Sequence, residues 1–424
     1  MKRFFCLTLA VLLALGLLAC GGNTEKEDSG KAEKPAWAGQ FAVGYGRADV
    51  TPDYSVGMKG YGDVRMSIGV LNKLYITCIA LTDAADNTVL LFAYDCKNMK
   101  ETDALPMRKA VSEATGIAVE NIFINCTHSH STPDLVEPFL TFANECAVEA
   151  AQIALADRAA ATMEYGASIV ENMTFVRHYN TKNGMVAGDN FNPEGAGAWI
   201  EHTTEADKEM RVIRVNREGK KPMILVNWQG HPTIASSSWT EFGKLHRDYM
   251  TSDYVGACRE YVESQLDCDF AMFLGAGGNL NVTGALAGEN KTTNTTEYGQ
   301  KLGDSVIATL DTMTAATTDK LSVTTTKFDT GEVNIDLNAI GMGSVAFITA
   351  PCEMFDTTSM AIRDQSPYDS TFVLSLTNGS VGYLPTADCF RYPDCYEVRA
   401  GGFYEGAAEK IVDVYADLLT QAKG

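Results

Sequence analysis

Short apolar runs with strand-like character alternate with segments of helical periodicity along most of this 424-residue chain. Alternation of this kind is typical of a layered α/β protein, and the β-rich segment 321–350 indicates that part of the sheet is antiparallel. The sequence therefore predicts an α/β fold of mixed, layered sheets flanked by helices. The predicted strands are 74–81, 88–94, 121–126, 211–215, 223–228, 270–274, 344–348 and 371–376. The predicted helices are 103–114, 135–162, 252–264, 297–313 and 406–422, and a long loop is expected over 180–207.

The N-terminus has the composition of an export signal. Two cationic residues precede an apolar run, Phe4–Ala19, that is too short to span a bilayer comfortably. The run ends in Leu-Leu-Ala-Cys, which resembles the lipobox of bacterial lipoproteins, so Cys20 is predicted to be the lipid-modified first residue of the mature protein. An ordinary cleaved secretory signal is the alternative interpretation.

Three segments follow from this interpretation. Residues 1–19 are predicted to be the signal peptide. Residues 20–40, rich in glycine and charge, are too polar to bury a core and are predicted to be a flexible tether. The folded domain is expected to occupy 41–424, outside the cytoplasm.

Charge and cysteine content limit the classes of partner and of site. A net charge of −20 argues against nucleic acid and anionic lipid headgroups as partners. Without Cys6 of the signal peptide and Cys20, nine of the eleven cysteines remain in an exported domain, where disulfides are permitted. The spacing makes Cys389 with Cys395 a candidate pair and Cys258 with Cys268 a weaker one. The chain has no CxxC pair, so a zinc knuckle and a thioredoxin-like motif are excluded.

Several predicted strands run directly into a polar cluster. In α/β sheets, ligands bind in the crevice beyond the carboxyl ends of the strands, so these clusters are expected to share one pocket. After the strands 121–126, 223–228, 270–274, 344–348 and 371–376 come, respectively, His128 with His130, His231, the segment GAGGNLN, Glu353 and Tyr383.

The pair His128 and His130 uses a third of the six histidines in the chain. Residues at i and i+2 of an extended segment project from the same face, so both imidazoles can enter one site. One can ligate a metal while the other accepts a proton. Zinc favours histidine nitrogen and carboxylate oxygen, and it lowers the pKa of a bound water to about 7. The alternative is that these histidines are hydrogen-bonded structural residues.

These motifs together resemble the neutral/alkaline ceramidase family of zinc-dependent, non-lysosomal enzymes. The similarity is collinear from residue 43 to residue 398 and implies a ceramidase-like catalytic domain over 41–424. The segments that carry it are VGYGRADVTPD, NCTHSHSTPD, VNWQGHPTIA, FLGAGGNLNV, APCEMF, NGSVGYLPTADCF and CYEV.

The resemblance implies a zinc site and catalytic roles. The implied zinc ligands are His128, His231, Glu353 and Tyr383. His130 would be the neighbouring base or proton shuttle, Arg177 would lie before the substrate loop, and Tyr396 would donate a hydrogen bond to the developing oxyanion. Asn281 stands where the family has a catalytic serine; an asparagine cannot act as a nucleophile, although it can donate a hydrogen bond.

The resulting hypothesis is a zinc-dependent amidohydrolase, anchored to the bacterial cell envelope through lipid on Cys20. Metal-activated water would cleave the amide bond of an N-acyl substrate, either a ceramide-like lipid or a related compound. The alternative is a non-catalytic surface lipoprotein that binds a glycan or lipid in the same cleft, and Asn281 motivates it. Of the other histidines, His178 is expected to be structural and His202 to be exposed.

Overall fold

Strands and helices alternate along the chain, as predicted. The computed structural model describes residues 35–60, 64–182, 186–188, 199–237, 241–291, 294–392 and 394–424. The strands are β1 (Ala42–Asp49), β2 (Gly57–Lys59), β3 (Val64–Met66), β4 (Gly69–Val70), β5 (Tyr75–Thr82), β6 (Thr88–Tyr94), β7 (Ile122–Cys126), β8 (Ala159–Ile169), β9 (Phe175–Val176), β10 (His178–Thr181), β11 (Val186–Gly188), β12 (Trp199–His202), β13 (Glu209–Arg217), β14 (Met223–Trp228), β15 (Tyr249–Met250), β16 (Asp269–Leu274), β17 (Leu280–Asn281), β18 (Thr314–Ala315), β19 (Leu321–Asp329), β20 (Asn334–Met342), β21 (Val345–Thr349), β22 (Glu353–Met354), β23 (Ser370–Leu374) and β24 (Tyr383–Leu384). The helices are α1 (Glu101–Thr115), α2 (Phe139–Ala156), α3 (Glu241–His246), α4 (Asp253–Leu266), α5 (Thr295–Thr309), α6 (Asp356–Asp364), α7 (Tyr396–Arg399) and α8 (Ala407–Lys423).

Two sheets form the centre of the domain. The larger has the strand order β16-β14-β13-β8-β1-β5-β6-β7, with β18 beside β8, and the smaller has the order β19-β20-β21-β23. Most neighbouring strands are antiparallel, but β6 with β7, β14 with β16, and β21 with β23 are parallel. The predicted mixture of parallel and antiparallel pairing is therefore confirmed.

The layers follow the order helix, sheet, sheet, helix. Apolar side chains from the inner faces of the two sheets pack together, for example Ile213 and Phe273 with Phe347 and Phe372. Helices α1 and α2 cover one half of the outer face of the large sheet, and α4 and α5 cover the other half. Helices α6 and α8 cover the outer face of the small sheet. The predicted layered α/β fold is confirmed, and residues 36–424 form one compact unit.

Two glycines in β1 let α2 approach the sheet closely. A Cβ atom on Gly44 would lie 1.8 Å from the backbone oxygen of Ala154, and one on Gly46 would lie 2.1 Å from that of Ala150. Because real Cβ contacts are never this short, only glycine fits at both positions. The glycines of the VGYGRAD segment therefore serve helix packing.

We expect Gly46→Ala to lower the free energy of unfolding by about 1–3 kcal/mol, because the added methyl group would push α2 from the sheet. Denaturant unfolding of the purified variant measures this. The matched control is Gly166→Ala in β8, whose new Cβ would lie 3.2 Å from Cγ2 of Thr309 and no nearer than 3.7 Å to a backbone atom. Equal losses in the two variants would contradict the explanation.

Two of the predicted elements are wrong in extent. The predicted helix 135–162 is confirmed only over α2, which begins after Pro138, and the residues from Ala159 onward form β8. The alanine-rich composition favours helix, but pairing of β8 with β13 and β1 overrides it, since propensity is a weak prior against tertiary contacts. The predicted loop 180–207 contains β11 and β12, which pair with β10 in a small sheet. Residues 183–185 and 189–198 of that loop lie outside the described residues.

The nine cysteines of the described residues are all free thiols, so the predicted disulfides are absent there. Cys258 and Cys268 are both buried. Cys389 and Cys395 do lie together, as predicted, but no covalent bond links them.

The predicted signal peptide, and the tether as far as residue 34, lie outside the described residues. Over the part of the chain that the structure describes, no helix combines the length and the apolar composition needed to cross a membrane.

Candidate metal centre

Two buried asparagines fasten the ends of the strands together. Asn125 of β7 accepts a hydrogen bond from the backbone N–H of Leu274 (2.9 Å) and donates one to Oγ1 of Thr377 (3.1 Å). Asn227 of β14 donates to the carbonyl of Val373 (2.9 Å) and accepts from its N–H (3.2 Å). The bonds of Asn227 tie the large sheet to the strand β23 of the small sheet, and the bond from Asn125 to Thr377 ties it to the segment that follows β23. The segments that follow the strands therefore meet at one place, as predicted.

Three histidines converge there through the same ring atom. The Nε2 atoms of His128 and His231 are 3.0 Å apart, those of His128 and His130 are 3.2 Å apart, and those of His130 and His231 are 3.3 Å apart. All three side chains are buried. The structure thus groups three histidines that the sequence placed after two different strands.

The backbone of His128 explains how it reaches this site. Its φ is +69°, in the left-handed region that non-glycine residues rarely adopt. Such a conformation costs on the order of 1–3 kcal/mol and is concentrated at functional sites. His128 and His130 share the site, as predicted. The predicted reason, an extended backbone through both residues, is wrong, because the strand β7 ends at Cys126, before either histidine.

Backbone carbonyls fix the tautomers of two of the imidazoles. Nδ1 of His128 lies 2.6 Å from the carbonyl oxygen of Lys97, and Nδ1 of His231 lies 3.2 Å from that of Gly277. A carbonyl can only accept, so each Nδ1 carries a proton and donates it. In the neutral imidazole, Nε2 then holds a lone pair. The lone pairs of His128 and His231 therefore face each other across 3.0 Å.

Burial favours the neutral form of His130 and His231. It lowers the pKa of His231 to about 3, helped by the neighbouring His128, and it lowers the pKa of His130 well below 6.5. Burial alone would raise the pKa of Glu353, but His128, His231 and Tyr383 outweigh it and lower that pKa to about 2. Neutral histidines beside an ionised carboxylate are the protonation states that metal ligation requires.

Glu353 and Tyr383 enter the site as direct neighbours in the parallel pairing of β22 with β24. Oε2 of Glu353 is 3.3 Å from Nε2 of His128. This oxygen is buried and has no hydrogen-bond donor among the described residues. The Tyr383 hydroxyl lies close to the Glu353 carboxylate and to Arg177.

The donor set fits a divalent cation such as zinc. Ligands at 2.0–2.1 Å from one ion in tetrahedral arrangement are about 3.3 Å apart. The Nε2 atoms of His128 and His231 are 3.0 Å apart, and Oε2 of Glu353 is 3.3 Å from Nε2 of His128. A cation between the nitrogens would remove the repulsion of the facing lone pairs and satisfy the orphaned oxygen of Glu353. The hydrogen bonds from Nδ1 of His128 and His231 to carbonyls are also usual for zinc-bound histidine.

Arg177 lies beside this centre and is held by Glu397. Its Nε and Nη2 atoms are 2.7 and 2.6 Å from Oε1 of Glu397, and both side chains are buried. Nε2 of His178 is 3.0 Å from the second carboxylate oxygen, and Sγ of Cys395 is 3.3 Å from it. His178, Cys395 and Glu397 lie close enough to hold a metal ion. However, the guanidinium of Arg177 already balances the negative charge of Glu397, so this group does not need a cation. His178 is thus a hydrogen-bonded structural residue, as predicted.

The remaining predicted site residues surround Arg177. Its guanidinium carbon is 5.4 Å from the centre of the Tyr383 ring and 6.0 Å from that of Tyr396. The two tyrosine rings meet edge to face, with centres 5.5 Å apart. Asn281 is half-buried in β17 and pairs through its backbone with Phe175, two residues before Arg177.

Sequence reasoning missed several residues that shape this site. Lys97 follows β6, so the rule about strand ends could have found it. Gly277 lies in the GAGGNLN segment that was predicted to join the pocket, but no role was predicted for its carbonyl. Glu397 carries no pattern of its own apart from its place in the CYEV segment. The prediction for His202 is wrong, because its ring is half-buried against Phe175 and its Nε2 is 2.5 Å from a carboxylate oxygen of Glu289.

Fold and site together define a layered, mixed α/β protein with a buried, histidine-rich candidate metal centre. Solved structures share this fold. The neutral ceramidase from Pseudomonas aeruginosa is 14% identical with a TM-score of 0.71, and the match covers 91% of this chain and 74% of that one. A structure described as ceramidase complexed with C2 is also 14% identical, with a TM-score of 0.69 over 90% of this chain and 75% of that one. The predicted ceramidase-like fold is confirmed. No family model and no curated protein sequence matches the chain.

Proposed function

We propose that this protein is a zinc-dependent hydrolase that cleaves the amide bond of an N-acyl substrate. The observation that carries the proposal is the facing pair of unprotonated Nε2 atoms on His128 and His231, beside an ionised carboxylate oxygen of Glu353 that lacks a donor among the described residues. This arrangement is unfavourable without a cation. Nitrogen and oxygen donors in a buried site are suited to zinc.

His128, His231, Glu353 and Tyr383 would hold the ion. His128 and His231 are oriented by carbonyls, whereas Glu353 and Tyr383 are placed side by side by their strand pairing. When bound, zinc supplies Lewis acidity and makes a strong nucleophile available from water near neutral pH.

The chain's own residues would handle the proton and the developing charge. His130 is neutral and buried, so its Nε2 can take up a proton from the attacking water and return it to the leaving nitrogen. Arg177 is held in place by Glu397. Its positive charge would therefore stabilise the developing negative charge without any movement of the side chain during the reaction. The Tyr396 hydroxyl would donate a hydrogen bond to the anionic oxygen of the tetrahedral intermediate.

The substrate class comes from the structural neighbours, both of which are named as ceramidases. We propose that the substrate of this chain is a lipid or small molecule with an N-acyl group, either a ceramide-like lipid or a related amide. The chain is proposed to act at the bacterial cell envelope, attached through lipid on Cys20. Neither Asn281 nor a serine nucleophile is needed when water is the attacking group.

The test measures turnover and metal content together in the wild type and in His130→Ala. A panel of N-acyl substrates of different chain length is offered to each protein. We expect the wild type to hydrolyse at least one of them, to lose activity with a chelator and to regain it with zinc. His130→Ala is expected to keep its zinc and to lose about 10²–10⁴ in rate, the usual contribution of general acid–base catalysis.

Three other outcomes would each refute one part of the proposal. Loss of zinc from His130→Ala would assign His130 to the ligand set and refute its proposed role as base. Substrate binding without turnover by the metal-loaded wild type would refute the hydrolase and support the non-catalytic lipoprotein. Activity that persists without any metal would refute zinc dependence.

A further inference from the structure

The segment that starts with β3 carries apolar side chains on its outer side. Val64, Met66 and Ile68 are 61%, 56% and 68% exposed, whereas Arg65 between the first two is buried. Successive side chains of an extended chain point to opposite sides, so the aliphatic side chains share the solvent side and the charged one points inward. Val70 continues the outer row at 42% exposure. We call Val64, Met66, Ile68 and Val70 the rim patch.

The inner side of the β2–β3 hairpin is fastened to the candidate metal centre. Nη2 of Arg65 donates a hydrogen bond of 2.7 Å to the carbonyl of His130. A Cβ atom on Gly60 would lie 2.7 Å from that same carbonyl oxygen, so the hairpin backbone is in direct contact with His130. Met58 forms a β-bridge with Pro133. The rim patch therefore lies on the outside of the element that borders the site.

Other exposed apolar side chains flank the rim patch. Tyr54, Val136 and Leu245 are 44%, 56% and 72% exposed. Each of these residues is within three positions in sequence of a residue that is hydrogen-bonded to the β2–β3 hairpin or to the segment directly after β3. Exposed apolar side chains grouped on neighbouring segments are typical of an interaction site. The linking hydrogen bonds run from Ser55 Oγ to the Ser67 carbonyl (2.6 Å), from Asp134 N to the Gly57 carbonyl (2.8 Å) and from Ile68 N to the Asp248 carbonyl (2.9 Å).

We infer that the rim patch docks this domain onto the surface of a lipid bilayer with neutral headgroups. Its side chains are aliphatic, without the tryptophan and outward arginine that are enriched in protein–protein hot spots. Tyr54 at its edge has the amphipathic ring that is favoured at membrane–water interfaces. The net charge of −20 opposes an anionic surface.

The predicted lipid on Cys20 would keep the domain near such a surface. The chain from Cys20 to Ala36, where the compact unit begins, spans at most about 55 Å when fully extended. The inference rests on the proposed function in one respect, that the substrate is an N-acyl lipid. Docking through the rim patch would then bring the candidate metal centre to a substrate held in the bilayer.

Depth-dependent fluorescence quenching tests this inference without using turnover. Met66→Trp is made in the full chain and bound to phosphatidylcholine vesicles, with and without bromine atoms on the acyl chains. We expect the new tryptophan to shift its emission to shorter wavelength and to lose emission to the brominated lipid. The matched control is Val333→Trp, which is 48% exposed in the turn between β19 and β20, and the wild type with its four tryptophans gives the background.

Adding Ile68→Asp to Met66→Trp should abolish both the shift and the quenching, because a charge in the patch opposes insertion. Equal quenching of Met66→Trp and Val333→Trp would overturn the inference. So would a shift that appears without lipid and grows with protein concentration, since that result assigns the patch to a second copy of the chain. Because no outcome depends on activity, failure here is distinct from failure of the hydrolase proposal.

Discussion

Replacing either His128 or His231 by alanine is expected to reduce turnover by more than about 100-fold and to remove the bound metal. Even partners outside the ligand shell of a metal typically contribute 10–100-fold to affinity or activity, so the loss of a ligand should exceed that range. The physical reason is specific to this site. Without one of the two facing Nε2 atoms, 3.0 Å apart in the structure, the ion loses a fixed nitrogen donor. Steady-state kinetics and elemental analysis of the purified variants measure both effects.

His246→Ala is the matched control for these variants. His246 is also a histidine with its Nδ1 bonded to a backbone carbonyl, that of Phe242 at 2.8 Å, but it lies on α3 away from the three-histidine group. We expect it to keep the metal and wild-type turnover. Zinc content unchanged in both His128→Ala and His231→Ala would contradict the assignment of these residues as ligands.

Replacing Glu397 by glutamine is expected to lower the free energy of unfolding by about 3–5 kcal/mol. Removing one partner of a buried ion pair leaves the other charge uncompensated, and that penalty is large. Here the orphaned group would be Arg177, whose side chain is 6% exposed; its Nε donates a hydrogen bond to Glu397 and its Nη2 lies 2.6 Å from the same carboxylate oxygen. Chemical denaturation at neutral pH measures the loss.

The same pair predicts a particular dependence on pH. Burial alone would raise the pKa of Glu397, but Arg177 and His178 overcome it and lower that pKa well below 4.5. A carboxyl group whose pKa is lower in the folded state stabilises the fold at pH values above its unfolded pKa. That stability is lost as the pH falls through the folded value. The wild type should therefore lose stability on acidification below about pH 4.5, more steeply than Glu397→Gln.

The exposed ion pair of Glu297 with Lys301 on α5 provides the control. The two side chains are about half exposed and their charged atoms are 2.9 Å apart. Surface pairs of this kind contribute about 0.5 kcal/mol or less. Glu297→Gln should therefore leave the free energy of unfolding nearly unchanged. A loss equal to that of Glu397→Gln would show that burial is not the cause.

The sequence was sufficient to locate the candidate site because its main residues follow strands. His128, His231, Glu353 and Tyr383 each come a few residues after an apolar run. The runs before Glu353 and Tyr383 are parallel partners, so these two residues leave the same end of the small sheet. The structure adds Asn125 and Asn227, which fasten the two sheets at that edge. Both asparagines precede a site histidine by only a few residues, but nothing in their local pattern predicts which strand they contact.

The parts that could not be predicted depend on contacts distant in sequence. Strand β8 lies in a segment whose alanine content favours helix, and only its pairing with β13 and β1 makes it a strand. Glu397 is paired with Arg177 across 220 residues. His128 reaches the site through a left-handed backbone conformation, which a sequence pattern does not reveal. Local periodicity thus indicates the elements, whereas these features arise from their assembly.

His128 and His231 are proposed to hold one divalent cation between them. Anomalous X-ray scattering at the zinc edge, from crystals of the full chain purified without added metal, locates such an ion. We expect one strong peak about 2.0–2.1 Å from Nε2 of both residues, on the side of the Glu353 carboxylate. An active protein whose crystals show no peak there, or zinc bound only elsewhere, would contradict it.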